Sequence, residues 1–251
     1  MEVHHHPHVE KKNFKEYLLE GLMIFLAVSL GFFAENIRES ISNTRQLNEY
    51  MQSMVSDLKS DQATYDSAIA FNLKHCEMVD SIITDLKVSK ENTGKVYYLA
   101  RLLTIGSMVI SPNAKTFTQL NSTGGFRLIH DQSVADSIAA YYQWIKSFDY
   151  WSELQGSRLH DVIASNDKLF DASVFLTIFK KLENTSDPSS VIPGDNPPLM
   201  SNDPYVINEV MVNYQYYYGF LKLMNQRAQK ASIQSQRLRA LLIKEYHMED
   251  K

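Results

Sequence analysis

The sequence is poor in cysteine, glycine and proline, and each scarcity removes a class of protein. Cys76 is the single cysteine among 251 residues. An intramolecular disulfide and CxxC-type metal or redox motifs are therefore excluded. One thiol fits either a reducing compartment or an export route that avoids stray thiols. The 9 glycines form no GxGxxG, P-loop or GxSxG pattern, and HExxH is absent too, so no enzyme signature is present. "STGG" at Ser122–Gly125 is too short for a phosphate cradle and reads as a turn. Of the 7 prolines, Pro188, Pro193, Pro197, Pro198 and Pro204 crowd into one stretch, Asn184–Pro204, which reads as a long loop. No strand-like alternation appears. Charge is also short: a formal net charge of -4 does not fit a nucleic-acid binder. At 22% charged and 44% apolar the chain is not disordered as a whole.

What is present begins with "YLLEGLMIFLAVSLGFFAENIRE". Gly21–Ala34 is an uncharged run, and with Tyr17–Glu20 it makes a helix of ~27 Å, close to the ~30 Å hydrocarbon core. Glu20 and Glu35 bracket it near the two interfaces, where a carboxylate can snorkel, be protonated or pair. A buried core helix and a cleaved signal peptide compete with this reading. Phe32 and Ala34 make a poor cleavage site, and the helix pattern runs on without a break. An uncleaved signal anchor at 17–35 is expected. Lys11, Lys12 and Lys15 before it, against Arg38 and Arg45 after it, favour a cytoplasmic N-terminus. The expected placement is single-pass in the inner membrane, with the remainder periplasmic. Glu20, Ile24, Ala27, Gly31, Ala34 and Arg38 step by fours and threes. Glu20, Ala27, Gly31 and Ala34 are the candidate helix–helix face, since small residues allow close approach in lipid.

Residues 1–16 read as a cytoplasmic tail rich in histidine and lysine. His4, His5, His6 and His8 have no second ligand set at a defined spacing, so no metal site is expected. From 36 to 251 the pattern is helical. Leu47, Met51, Met54, Leu58, Tyr65, Ile69, Leu73, Cys76, Val79, Ile83 and Leu86 recur in threes and fours with one step of seven. This is one long helix or two joined near Asp61–Gln62. Helices are expected next over Lys95–Ile110 and from Ser133, as N-cap, through Leu169. The last helix carries Ile207, Val210, Tyr214, Tyr217, Leu221, Met224, Ala228, Ala231, Ser235, Leu238 and Leu242, stepping strictly 3 and 4, a sustained heptad seam. The fold class is therefore all-α: a transmembrane helix followed by an elongated antiparallel bundle.

"KEYLLEGLMIFLAVSLGFFAENIRE" followed by "SMVSDLKSD" resembles a family of uncharacterised Gram-negative bacterial proteins with an N-terminal single-span anchor. "TFTQLNSTGGFRLIHDQSVADSIAAYY" is similar to a second block of that family. The two blocks cover about a fifth of the chain. The resemblance implies a membrane protein and supplies no catalytic residues.

Three functional classes follow. The first is a non-enzymatic interaction or scaffold protein, assembling with a like chain or another membrane subunit through the span. The second is a ligand-sensing bundle acting through a partner. Its pocket would be lined by Tyr141, Tyr142, Trp144, Phe148, Tyr150 and Trp151 and by Tyr214–Phe220, residues that otherwise fill a core. The third is an accessory subunit of an ion-driven complex, with Glu20 as proton site. Lys222–Lys244 holds six cations and no acid. It complements acids such as Asp57, Asp61 and Asp66, or it places Arg237, Arg239 and Lys244 against lipid headgroups. His75 beside Cys76 suggests a thiol nucleophile less well than a buried cysteine, because Cys76 lies on the apolar stripe. No cofactor and no nucleic-acid partner are expected.

Overall fold

In the computed structural model, which describes residues 13–88 and 90–249, seven α-helices follow one another without a strand among the described residues. They are α1 (Phe14–Val88), α2 (Thr93–Ile105), α3 (Lys115–Ser122), α4 (Gln132–Ile145), α5 (Ser147–Asn166), α6 (Ala172–Glu183) and α7 (Pro204–Glu245). The chain is all-α. It divides after Tyr50 into two units.

The first unit, over its described residues, is the opening of α1. None of its apolar window is buried. Leu22, Phe25, Phe32 and Phe33 lie open on one side, and Ile24, Ala27 and Gly31 are equally open on the other. Such a helix, apolar all round and uncovered, satisfies its backbone internally and is suited by length and composition to cross a membrane. The histidines His4, His5, His6 and His8 lie outside the described residues.

The second unit begins at Met51 and is built on α1 and α7. Ser235 Oγ donates to the Leu58 carbonyl at 2.9 Å, and Asn225 Nδ2 to the Ile69 carbonyl at 3.4 Å. As α1 ascends from 58 to 69, α7 descends from 235 to 225, so the two are antiparallel. The heptad seam of α7 is the buried one: Val210, Tyr214, Tyr217, Leu221, Met224, Ala228, Ala231, Ser235, Leu238 and Leu242 are all buried. Each large member contributes about 1.5–3 kcal/mol of burial. The small stretch Ala228–Ser235 is what lets Ser235 reach a carbonyl of α1. Asn72 Nδ2 donates to Asn225 Oδ1 at 3.0 Å in the same interface, a buried amide pair of the kind that fixes register. α4 and α5 pack on α7, and α6 on α2.

Several boundaries differ from expectation. α1 is unbroken past Asp61–Gln62. Of the expected stripe, Leu47, Met51, Met54, Leu58, Tyr65, Cys76 and Val79 are buried; the buried face is turned by one residue only locally, where Ala68, Asn72 and Ile82 are buried and Leu73 is exposed. α2 stops at Ile105, not Ile110, because Gly106 is extended and the following segment is captured by α1. Asp131, not Ser133, caps α4, accepting from Ser133 N at 2.7 Å. The expected continuous pattern to Leu169 is broken at Lys146, and α6, capped by Asp171, was not expected.

The proline-rich stretch docks on α2. Asn196 Oδ1 accepts from Gly94 N at 3.2 Å, filling one of the orphan donors of the first turn. Tyr97 Oη donates to the Pro198 carbonyl and accepts from Asp171 N, both at 2.9 Å. A short 3-10 turn, Pro188–Val191, buries Val191 in the same core.

Candidate functional site

On the first unit, Glu20, Ala27, Gly31 and Ala34 are all exposed. Their spacing of seven, four and three puts them on one face of α1. A Cβ added at Gly31 meets nothing within 4 Å. Glu35 is exposed and pairs with Arg38 of its own helix through two contacts, at 2.5 and 2.9 Å.

On the second unit the densest polar chemistry surrounds two carboxylates of α1. Asp57 and Asp61 are four residues apart and so share a face. Asp61 is 1% exposed. Its Oδ1 accepts from Asn113 N at 2.5 Å and its Oδ2 from Tyr141 Oη at 2.6 Å. Tyr141 has spent its proton there, so Tyr65, 3.0 Å away, must donate to Tyr141. Asp57 accepts from Asn113 Nδ2 at 2.7 Å and from Thr116 N at 3.1 Å. Thr116 N belongs to the first turn of α3, whose own N-cap Ala114 has no capping side chain. Asp57 therefore caps α3 from another helix. Burial, the largest influence, raises the Asp61 carboxyl above the usual carboxylate range, while the donors from Asn113 and Tyr141 pull it down. Burial likewise raises the Tyr65 and Tyr141 phenols. Asp61, Tyr65 and Tyr141 are buried, Asp57 and Asn113 half-buried, and the donors and acceptors among them are matched. Its role is to hold segment 106–114 to the bundle. Asp57 and Asp61 thus face this segment, whereas complementing the cations of α7 was one of the two roles open to them from the sequence.

Cys76 is buried, and burial raises its thiol away from the reactive thiolate form. His75 is buried too. Its Nδ1 lies 3.0 Å from the Phe71 carbonyl, which can only accept, and its ring stacks on Phe71 at 4.0 Å. Burial keeps the imidazole below its usual range, hence neutral. No thiol–imidazole pair forms. His75 borders an open groove of about 640 Å³ between α1 and α2, walled by Phe71, Met78, Leu99 and Leu102 with Lys74 at the rim.

The two aromatic clusters meet where the Trp151 and Phe220 rings lie 6.2 Å apart, and part of each fills the core, while Tyr150 and Tyr216 are exposed. Phe148, Tyr141, Tyr142, Tyr214 and Tyr217 are buried. Tyr65 stacks near Phe148 at 6.0 Å, and Tyr214 Oη donates to Asn166 Oδ1 at 3.1 Å. Tyr142 borders a small cavity of about 230 Å³ beside Phe117. The more open rings carry cations. Arg227 Cζ lies 3.9 Å from the Trp151 ring centre and 5.5 Å from that of Trp144, and Lys230 Nζ lies 4.0 Å over Trp144. Cations had been read on α7 and aromatics on α4 and α5. Their stacking was not foreseen, since it depends on the packing angle of three helices.

Of the proposed headgroup residues, Arg237 and Lys244 are exposed and, seven apart, share a face of α7. Lys244 sits 3.7 Å from Glu245. Arg239 is half-buried and, two residues from Arg237, lies on a different face.

Compared with family models, curated proteins and solved structures, the chain matches none.

Proposed function

We propose that this chain is a non-enzymatic, membrane-anchored scaffold whose helical unit presents binding surfaces to partners. The observation that carries the reading is the contrast between its two units. From Phe14 to Ile41 the large apolar side chains are exposed, while the second unit buries its own apolar seam. Uncovered apolar surface of this extent is stable in water only when something covers it, and a bilayer covers a helix of this length. Under this reading residues 17–35 span the inner membrane, the N-terminus is cytoplasmic and the helical unit is periplasmic. The excess of lysine before the span supports that orientation. A reporter active only in the periplasm and fused after Lys251 is expected to be active. Activity of a cytoplasm-only reporter at the same site would reverse the orientation.

The span itself is the proposed assembly element, through a second copy or another membrane subunit. Gly31 has open space around its Cα, so Gly31→Leu introduces no clash within the chain. Gly31→Leu and Glu20→Leu are each expected to abolish the chain's complexes on native gels in mild detergent. Complexes that survive both substitutions would remove the span from the account of assembly. Glu20→Gln separates packing from proton coupling: the scaffold reading expects it to be tolerated.

A further inference from the structure

We propose that Trp144, Trp151, Arg227 and Lys230 form a docking shelf for an acidic segment of a partner protein. The inference rests on the scaffold reading and names the surface that would serve it. The four side chains come from α4, α5 and α7 and are fixed relative to one another by the packing of those helices. Arg227 lies over both indoles and Lys230 over Trp144. Arg227 and Lys230 are three apart on α7, so their side chains are neighbours on one helix face. Two cations held side by side repel each other. Among the described residues, no carboxylate lies within ion-pair distance of either. Arg227 Nε and Trp144 Nε1 lack an acceptor there but are closed to solvent, so an arriving carboxylate would meet the outer guanidinium nitrogens. An arriving carboxylate would relieve the repulsion and give the guanidinium fork an acceptor it is shaped to meet.

The composition points to protein as the source of that carboxylate. Tryptophan, tyrosine and arginine dominate binding hot spots, and here Tyr150, 61% exposed, flanks Trp151 at 5.3 Å. A membrane surface is met by long, mobile side chains that snorkel. Arg227 and Lys230 instead lie against rings, which favours a spacing suited to a shaped partner. Ring stacking also reduces the side-chain entropy lost on binding.

The chain carries a convenient reporter, because its 2 tryptophans are both in the shelf. The test is tryptophan emission of the full chain in detergent micelles, titrated with a short glutamate-rich peptide with interspersed leucines and no aromatic residue. A saturable change in emission, weakened by added salt, is expected. In the double variant Arg227→Gln, Lys230→Gln the apparent affinity should fall by on the order of tenfold or more. Circular dichroism and urea midpoint should match the parent, which excludes loss of fold as the cause. Parallel titrations use the lysine counterpart of the peptide, inorganic phosphate and phosphatidylglycerol vesicles; none should reproduce the response. The proposal is overturned by the absence of a saturable response to the glutamate peptide, by an equal response in the double variant, or by a response to phosphate or vesicles alone. The last result would make the shelf an oxyanion or lipid contact. The double variant leaves the first unit untouched, so its outcome is separate from that of Gly31→Leu.

Discussion

Asp61 stands in the environment least suited to its residue type, and that makes it the most informative single position. A buried carboxylate is tolerable when its oxygens are filled by donors. Here a main-chain N–H and a phenol fill them. Asp61→Ala empties that arrangement and should cost about 1–3 kcal/mol for each buried donor left without an acceptor. Asp61→Asn should be milder. Its oxygen still accepts from Asn113 N, and its amide can donate to Tyr141, which then donates to Tyr65. The two variants also differ in pH dependence. Because burial raises the Asp61 carboxyl in the folded chain, the folded state holds this proton more tightly than the unfolded state. Its stabilising contribution is complete below the unfolded carboxylate value and is lost as pH rises through the raised folded value. Urea unfolding across the mildly acidic range should therefore show Asp61→Asn gaining on the parent as pH rises. A constant difference between the two across that range would contradict the assignment. The sequence held a trace of this residue. The one step of seven in the α1 stripe, Leu58 to Tyr65, is the place where a buried position is not apolar, and Asp61 fills it three residues after Leu58 and four before Tyr65. Asn72 was hidden in the same way, beside the exposed Leu73.

At the scale of elements, periodicity made the two long helices legible and did little for the short ones. The seam of α7 was read residue by residue because every third or fourth position is buried against a neighbour. α6 was missed although Asp171 caps it and Phe175, Ile178 and Leu182 repeat at helical spacing. The end of α2 was misplaced because "GSMVI" continues an apolar pattern. The helix stops at the extended Gly106, and the segment beyond it is held at Asn113 by Asp57 and Asp61 of α1, contacts that spacing within the segment cannot reveal. The proline-rich stretch reads as a long loop in the sequence; it holds a short 3-10 turn, Pro188–Val191, and its attachment was invisible, since it depends on Gly94. A Cβ at Gly94 would lie 2.0 Å from the Pro193 carbonyl oxygen, a main-chain atom that cannot swing aside. Gly94→Ala should therefore push the loop from the start of α2 and lower stability by about 1–3 kcal/mol, as overpacking does. Limited proteolysis should then cut within 184–204 faster than in the parent. An unchanged melting temperature together with an unchanged cleavage rate would mean that the loop gives way without loss.

For the molecule as a whole, the account turns on a division after Tyr50 between a helix that exposes its apolar side chains and a unit that buries them. The candidate span was legible because a long uncharged apolar run needs no tertiary context to be recognised. The docking shelf was not, because it exists only where three helices meet. The most direct test of the central claim is alkaline carbonate extraction of cell membranes, applied to the full chain and to residues 43–251. The account predicts that the full chain stays in the membrane pellet, while 43–251 is recovered in the soluble fraction with a strongly helical circular dichroism spectrum. Extraction of the full chain into the carbonate supernatant, or retention of 43–251 in the pellet, would contradict it.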